Sequence, residues 1–137
     1  MPVDNHMNCI LYEIDLGQSI LDNQALAVAQ NDATKRNLPF AVIYFHNNNR
    51  QTQNNQEIFN QLEQFENRLA KFNIPLMVFI GEKSDRLEGM QKHLSPVAIY
   101  DRSATSLNAC QLTRHDIDWP GIVLSTKMLK DRILGSS

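Results

Sequence analysis

Hydrophobic residues fall into short solid runs, separated by longer stretches with helical spacing. Cys9-Ile10-Leu11-Tyr12 is the first run, apolar throughout rather than alternating, as in strands buried on both faces. A mostly polar loop follows, Glu13 to Ser19, with one glycine. Asp22-Asn23 then precede Ala25, Leu26, Ala27, Val28 and Ala29, a run containing good helix formers, with Ser19 or Asp22 placed to cap it. The helix is predicted to run to about Arg36, where Asn37-Leu38-Pro39 ends it. Phe40 to Phe45 is a second apolar strand, rich in β-branched and aromatic residues. His46 to Asn55 is an Asn/Gln-rich polar stretch, read as a solvated connection.

From Gln56 the helical period returns. Ile58, Leu62, Phe65, Leu69 and Phe72 form one apolar stripe, read as core. Asn73-Ile74-Pro75 closes this helix, and Leu76 to Ile80 is the third strand. After a Gly81–Ser84 turn, Ser84 is placed to cap a short helix containing Leu87, Met90 and Leu94. Val97 to Tyr100 reads as a fourth strand ending at Asp101-Arg102-Ser103, followed by a weak helical segment around Ala104 to Leu112. Gly121 to Leu124 is predicted as a fifth strand, and Lys127 to Leu134 as a final helix or tail.

Strands alternating with helices predict a single α/β domain over residues 1–137. The expected fold is a Rossmann-like, doubly wound, five-stranded parallel sheet with helices on both faces. The chain has 137 residues, enough for one core without disulfide or metal staples. A formal net charge of -2 argues against a broad nucleic-acid footprint, so direct DNA binding by this chain alone is not expected. Cys9 and Cys110 show no metal or redox spacing, and Cys9 reads as a small buried hydrophobe. Neither a secretory leader nor a membrane span is visible, so the expectation is a soluble cytoplasmic protein.

In such a sheet, ligands sit outside the carboxyl ends of the strands, where strand order reverses. That rule selects the candidate ligand-binding residues Glu13, Asp15, Gly17, Gln18, His46, Asp101, Arg102 and Ser103. Gly17 stands alone, so neither glycine-rich phosphate fingerprint is present after the first strand. Glu13, Asp15, Asp22 and Asp101 are the carboxylates expected near the sheet's carboxyl edge, where paired carboxylates can do acid–base or metal work; Asp22 sits where a cap is needed and reads as the helix cap. Among His6, His46, His93 and His115 no pair has metal-ligand spacing; His46 ranks first because it follows a strand, though a solvated loop histidine is the expected reading. Trp119 beside Pro120 reads as a packing anchor.

The opening stretch resembles the N-terminal α/β domain of the DNA photolyase and cryptochrome family, class II photolyases in particular. Leu11-Tyr12, Gln18, Asp22-Asn23, Ala25-Leu26 and Ala29-Gln30 match without gaps. Leu38-Pro39, Asn73-Ile74-Pro75 and Gly81-Glu82 follow in the family's order, over roughly residues 8 to 101. Two departures stand out. The family loop's arginines fall on Leu16 and Ser19, and its aspartate falls on Gly17. The family's second, helical domain carries the flavin, the damaged-base pocket and the electron-transfer tryptophans. This chain has one tryptophan and no length for that domain, so autonomous photorepair is not expected.

The resemblance implies a stand-alone antenna-type domain, a non-catalytic module for a nucleotide-like ligand or a chromophore such as a flavin, deazaflavin or folate. Two alternatives stay open. One is half of a split deoxyribodipyrimidine photolyase whose FAD domain is a separate chain; the other is a self-associating regulatory domain.

Overall fold

A computed structural model describes residues 7–16, 24–46, 55–81, 88–91, 94–104 and 111–134. Its elements are β1 (Met7–Glu13), α1 (Gln24–Arg36), β2 (Phe40–His46), α2 (Asn55–Ala70), β3 (Leu76–Ile80), β4 (Leu94–Tyr100) and α3 (Thr126–Leu134). The four strands form one sheet in the order β3-β2-β1-β4, and every adjacent pair is parallel. Strands one to three step outward in one direction. The fourth returns to the opposite side of β1, so strand order reverses between β1 and β4.

The solid apolar runs are explained by burial on two faces. Ile10, Tyr12, Ile14, Phe40, Val42 and Leu76 point to one face, where the alanines of α1 and the stripe of α2 close over them. Cys9, Leu11, Ala41, Ile43 and Leu94 point to the other, beneath Met90 and Trp119. Ala25, Ala29 and Ala33 carry so little side chain that α1 sits close on β1 and β4. Phe59 and Leu62 are fully buried in α2, and Phe65 nearly so. The two crossovers, β1-α1-β2 and β2-α2-β3, put both helices on the same face.

Both crossover helices end by one device. Asn37 and Asn73 adopt left-handed backbone, with φ of 58° and 59°. The next amides, Leu38 and Ile74, reach back to the carbonyls of Ala33 and Leu69 at 2.9 and 3.1 Å. Asn37 and Asn73 themselves donate to Thr34 and Ala70, which completes a Schellman cap at each end. The prolines that follow cannot extend a helix. Their carbonyls instead accept from Ile10 and Val42, each at 3.0 Å, and so extend the bonding to the neighbouring strand past the start of β2 and β3.

Residues 111–118 fasten across these two loops. The Gln30 side chain, 2% exposed, accepts from the Thr113 amide at 3.0 Å and donates to the Thr113 carbonyl at 2.5 Å. His115 donates its backbone N–H to Phe72 at 2.7 Å and its Nε2–H to the Leu38 carbonyl at 2.9 Å. Asn73 donates its amide to the His115 carbonyl and to Asp118 at 2.9 and 2.8 Å. Beyond the strap, Ser125 caps α3 by accepting from the Met128 amide. The Glu66 carboxylate of α2 accepts from both the amide and the hydroxyl of Thr126, placing a negative charge at the positive end of α3. Lys130 then reaches Asn60 at 2.6 Å and Glu63 at 3.6 Å.

Two expectations are corrected here. Gly121–Leu124 is irregular rather than a fifth strand, leaving four strands among the described residues. Gly121 turns at φ 99°, and Ile122 is 97% exposed, so among the described residues this apolar run pairs with no strand. Among the described residues, α1 and α2 cover one face with α3 packed against α2, and helical residues 88–91, part of the short helix expected after the third strand, lie on the other. Leu94, expected in that short helix, instead opens β4, pairing with Met7. The weak helix expected around Ala104 to Leu112 lies mostly outside the described residues.

Candidate functional site

The reversal between β1 and β4 brings two chain ends side by side. The register pairs Tyr12 with Tyr100, so the chain leaves both strands at the same level. Asp15 follows β1 and Arg102 follows β4; Arg102 Nε and Asp15 Oδ2 are 3.9 Å apart, with side chains 74% and 58% exposed. A pair so long and so exposed contributes at most about 1 kcal/mol. Asp101 and Ser103 fold their own turn: the Asp101 carboxylate accepts from the Ser103 amide at 2.8 Å and from its hydroxyl, and the Asp101 carbonyl accepts from the Ala104 amide at 3.0 Å. Glu13 is half-buried at the last residue of β1. The carboxyl edge therefore gathers Glu13, Asp15, Asp101, Arg102 and Ser103. Gly17 and Gln18 lie outside the described residues.

His46 is placed differently from the solvated loop residue expected. It is the last residue of β2, 1% exposed, and its ring meets Phe59 of α2 edge to face at a centroid distance of 5.1 Å. The alternation of β2 turns it to the helical face, where Tyr44 lies 6.2 Å away. Its carbonyl accepts from Gly81 at 3.0 Å, where the chain leaves β3 with φ 125°. His46 thus supports the edge from beneath, its ring covered by α2.

One link beside this edge carries no motif. Tyr100 donates its hydroxyl to Asp32 of α1 at 2.6 Å, and Arg36 donates to the other oxygen of that carboxylate at 2.8 Å. The phenol hydrogen bond, with help from Arg36, holds the Asp32 carboxyl below its ordinary range; the same bond, with burial, pushes the Tyr100 hydroxyl above its own, against the pull of Arg36. The carboxylate pattern of α1 offered only the i, i+4 spacing of Asp32 and Arg36 as a sign.

Two clefts lie away from the carboxyl edge. One of about 290 Å³ runs between Asn73, Pro75, Asp118 and Trp119. The other, about 280 Å³, is an apolar groove on the second face between Met77, Phe79, Met90, Leu94, Trp119 and Ile122. Trp119, half-buried on the second-face cluster, serves as the packing anchor expected and separates the two.

Cys9 is fully buried on the second face, and burial pushes its thiol up to about 11. The neutral thiol is the stable form in the fold. Its contribution is complete below the ordinary thiol range near 9 and is lost as pH climbs toward 11. Native protein at pH 8 is expected to leave Cys9 unmodified by iodoacetamide over hours, whereas unfolding in guanidinium exposes it. Peptide mass mapping reads the two states, and rapid native alkylation at Cys9 would show that the strand core opens readily.

Among the described residues, no cluster of three or more His, Cys, Asp or Glu is placed to hold a metal ion. No described helix is long and apolar enough to cross a membrane. Compared with protein-family models and with curated proteins, the chain matches none.

Proposed function

We propose that this α/β domain is a non-catalytic binding module, photolyase-related by its opening motif. Its ligand is a nucleotide-like molecule or a chromophore of the flavin, deazaflavin or folate type, seated outside the carboxyl ends of β1 and β4. The finer reading of the topology belongs to the same proposal: the β3-β2-β1-β4 order is that of a doubly wound, Rossmann-like sheet through its fourth strand. One observation carries the reading. The reversal in strand order brings Asp15 and the Asp101–Ser103 turn side by side at the carboxyl edge between β1 and β4, and this edge is taken as the ligand crevice, the position where open parallel sheets bind. Within that crevice, Arg102 is mostly solvent-facing and only loosely paired, and so is able to turn toward an anionic ligand group.

The test begins with the absorbance spectrum and mass of whatever co-purifies with the native protein. It continues with thermal shifts against flavin mononucleotide, folates and nucleotides. A ligand at a hundredfold excess over its Kd stabilises the fold by about 2.7 kcal/mol, a shift of several degrees for a domain of this size. Arg102→Glu is expected to abolish most of that shift without changing the midpoint of the free protein. No co-purifying chromophore and no shift across all three ligand classes would sink the proposal.

A second reading draws on the edge strand. β4 pairs with β1 alone among the described residues, and its Val97 and Ile99 are 47% and 42% exposed, an apolar strand of the kind that pairs with another chain. This favours association, either with a second copy or with a separate FAD-domain chain of a split photolyase. Sedimentation showing only monomer at high concentration, with no partner retained from the native source, removes it.

A further inference from the structure

The Asp32–Tyr100 hydrogen bond involves none of the residues of the crevice, yet it ends one residue before the Asp101–Ser103 turn. Tyr100 closes β4, a strand paired on one side only among the described residues, by β1. Two restraints therefore set where this turn sits. One is the ladder to β1, which shifts register between Cys9 and Ile10, where Pro96 replaces a backbone donor. The other is the phenol, anchored to a helix 68 positions earlier in the chain.

We propose that Asp32 is a positioning residue for the crevice: acting through Tyr100, it holds the Asp101–Ser103 turn in place beside Asp15. The proposal rests on reading that crevice as the ligand site. Asp32 makes its bond with a carboxylate that Arg36 orients from one turn away. Hydrogen bonds to charged groups are the stronger kind, so the link outweighs the loose pair between Asp15 and Arg102. Its pH range agrees with this role. The lowered Asp32 carboxyl keeps the link complete above the ordinary carboxylate range and loses it as pH falls. The raised Tyr100 hydroxyl keeps it below the ordinary tyrosine range and loses it as pH rises. The charged groups facing the pair are Arg36 and Lys35, both on α1, and both favour the carboxylate.

The test needs no ligand. Amide hydrogen exchange is followed by NMR at Ser103 and Ala104, which both donate to Asp101. Asp32→Ala and Tyr100→Phe are each expected to speed exchange there about tenfold, as loss of a charge-assisted hydrogen bond implies. Amides of β2 serve as the control for global stability and should not change. The double variant should exchange within about twofold of either single one, because both remove the same link. Asp32→Asn keeps an acceptor without the charge and should fall between wild type and alanine. In that variant the Tyr100 phenol, followed by NMR of its ring, should titrate at lower pH; a ring that merely fills space would not move. Unchanged exchange at Ser103 and Ala104, or fully additive effects, overturns the proposal. Failure of flavin mononucleotide to bind while this coupling persists counts against the ligand reading alone.

Discussion

Phe59→Ala is expected to destabilise the protein by about 3–5 kcal/mol, the range for emptying an aromatic site in a packed core. Phe59 is fully buried, and its ring does two things at once. It fills the space between α2 and the helical face of the sheet, and it presents its edge or face to His46 at the end of β2. Removing it leaves a cavity at the carboxyl edge and opens the His46 ring to water. Chemical denaturation should show the midpoint falling with little change in slope. A loss under about 1 kcal/mol would mean that α2 collapses onto the sheet without this ring, and that His46 does not depend on it.

Asn73→Ala is expected to cost about 3 kcal/mol, for two separable reasons. The backbone at Asn73 is left-handed, a conformation that costs an ordinary side chain roughly 1–2 kcal/mol and that asparagine tolerates. The side-chain amide also donates to the His115 carbonyl and to Asp118, and each such bond contributes about 1 kcal/mol net. Asn73→Gly divides the two, since glycine keeps the backbone and loses only the amide. It should recover about half of the loss. Equal losses for alanine and glycine would place the whole effect in the strap; a neutral glycine would place it in the backbone.

These residues also show why parts of the fold are readable in one dimension. Asn37-Leu38-Pro39 and Asn73-Ile74-Pro75 stop helices by local chemistry: a left-handed asparagine, an amide folded back five residues, and a proline that cannot extend the helix. Nothing distant is needed, so both ends are marked in the sequence. Leu38-Pro39 and Asn73-Ile74-Pro75 also belong to the motifs behind the proposed relation to the photolyase family, and in this fold they have a mechanical task of their own. Gln30, from the Ala29-Gln30 match, likewise has a structural task in holding Thr113.

The candidate site was legible only in outline. Asp15, Asp101, Arg102 and Ser103 were found because they follow strands, and the topology brings them together. His46 was found by the same rule but is buried, because its side-chain direction follows the alternation of β2 and the reach of Phe59 rather than its place in the chain. Asp32 escaped the rule altogether. A mid-helix aspartate four residues before an arginine reads as a surface pair until a tyrosine from 68 positions away arrives on its other oxygen.

By itself the sequence determined the parallel α/β class, the span of the third strand, the near-bounds of the other elements, and both crossover helix ends. Each depends on periodicity, on burial of a whole run, or on a cap built within a few residues. Tertiary structure alone decided that Gly121–Leu124 pairs with no strand and which face the helices cover. It also decided how the strap from Gln111 to Asp118 is fastened, and which polar residues reach the crevice between β1 and β4. Those outcomes depend on contacts between distant positions, and an apolar or charged residue carries no mark of the partner that the fold will bring to it.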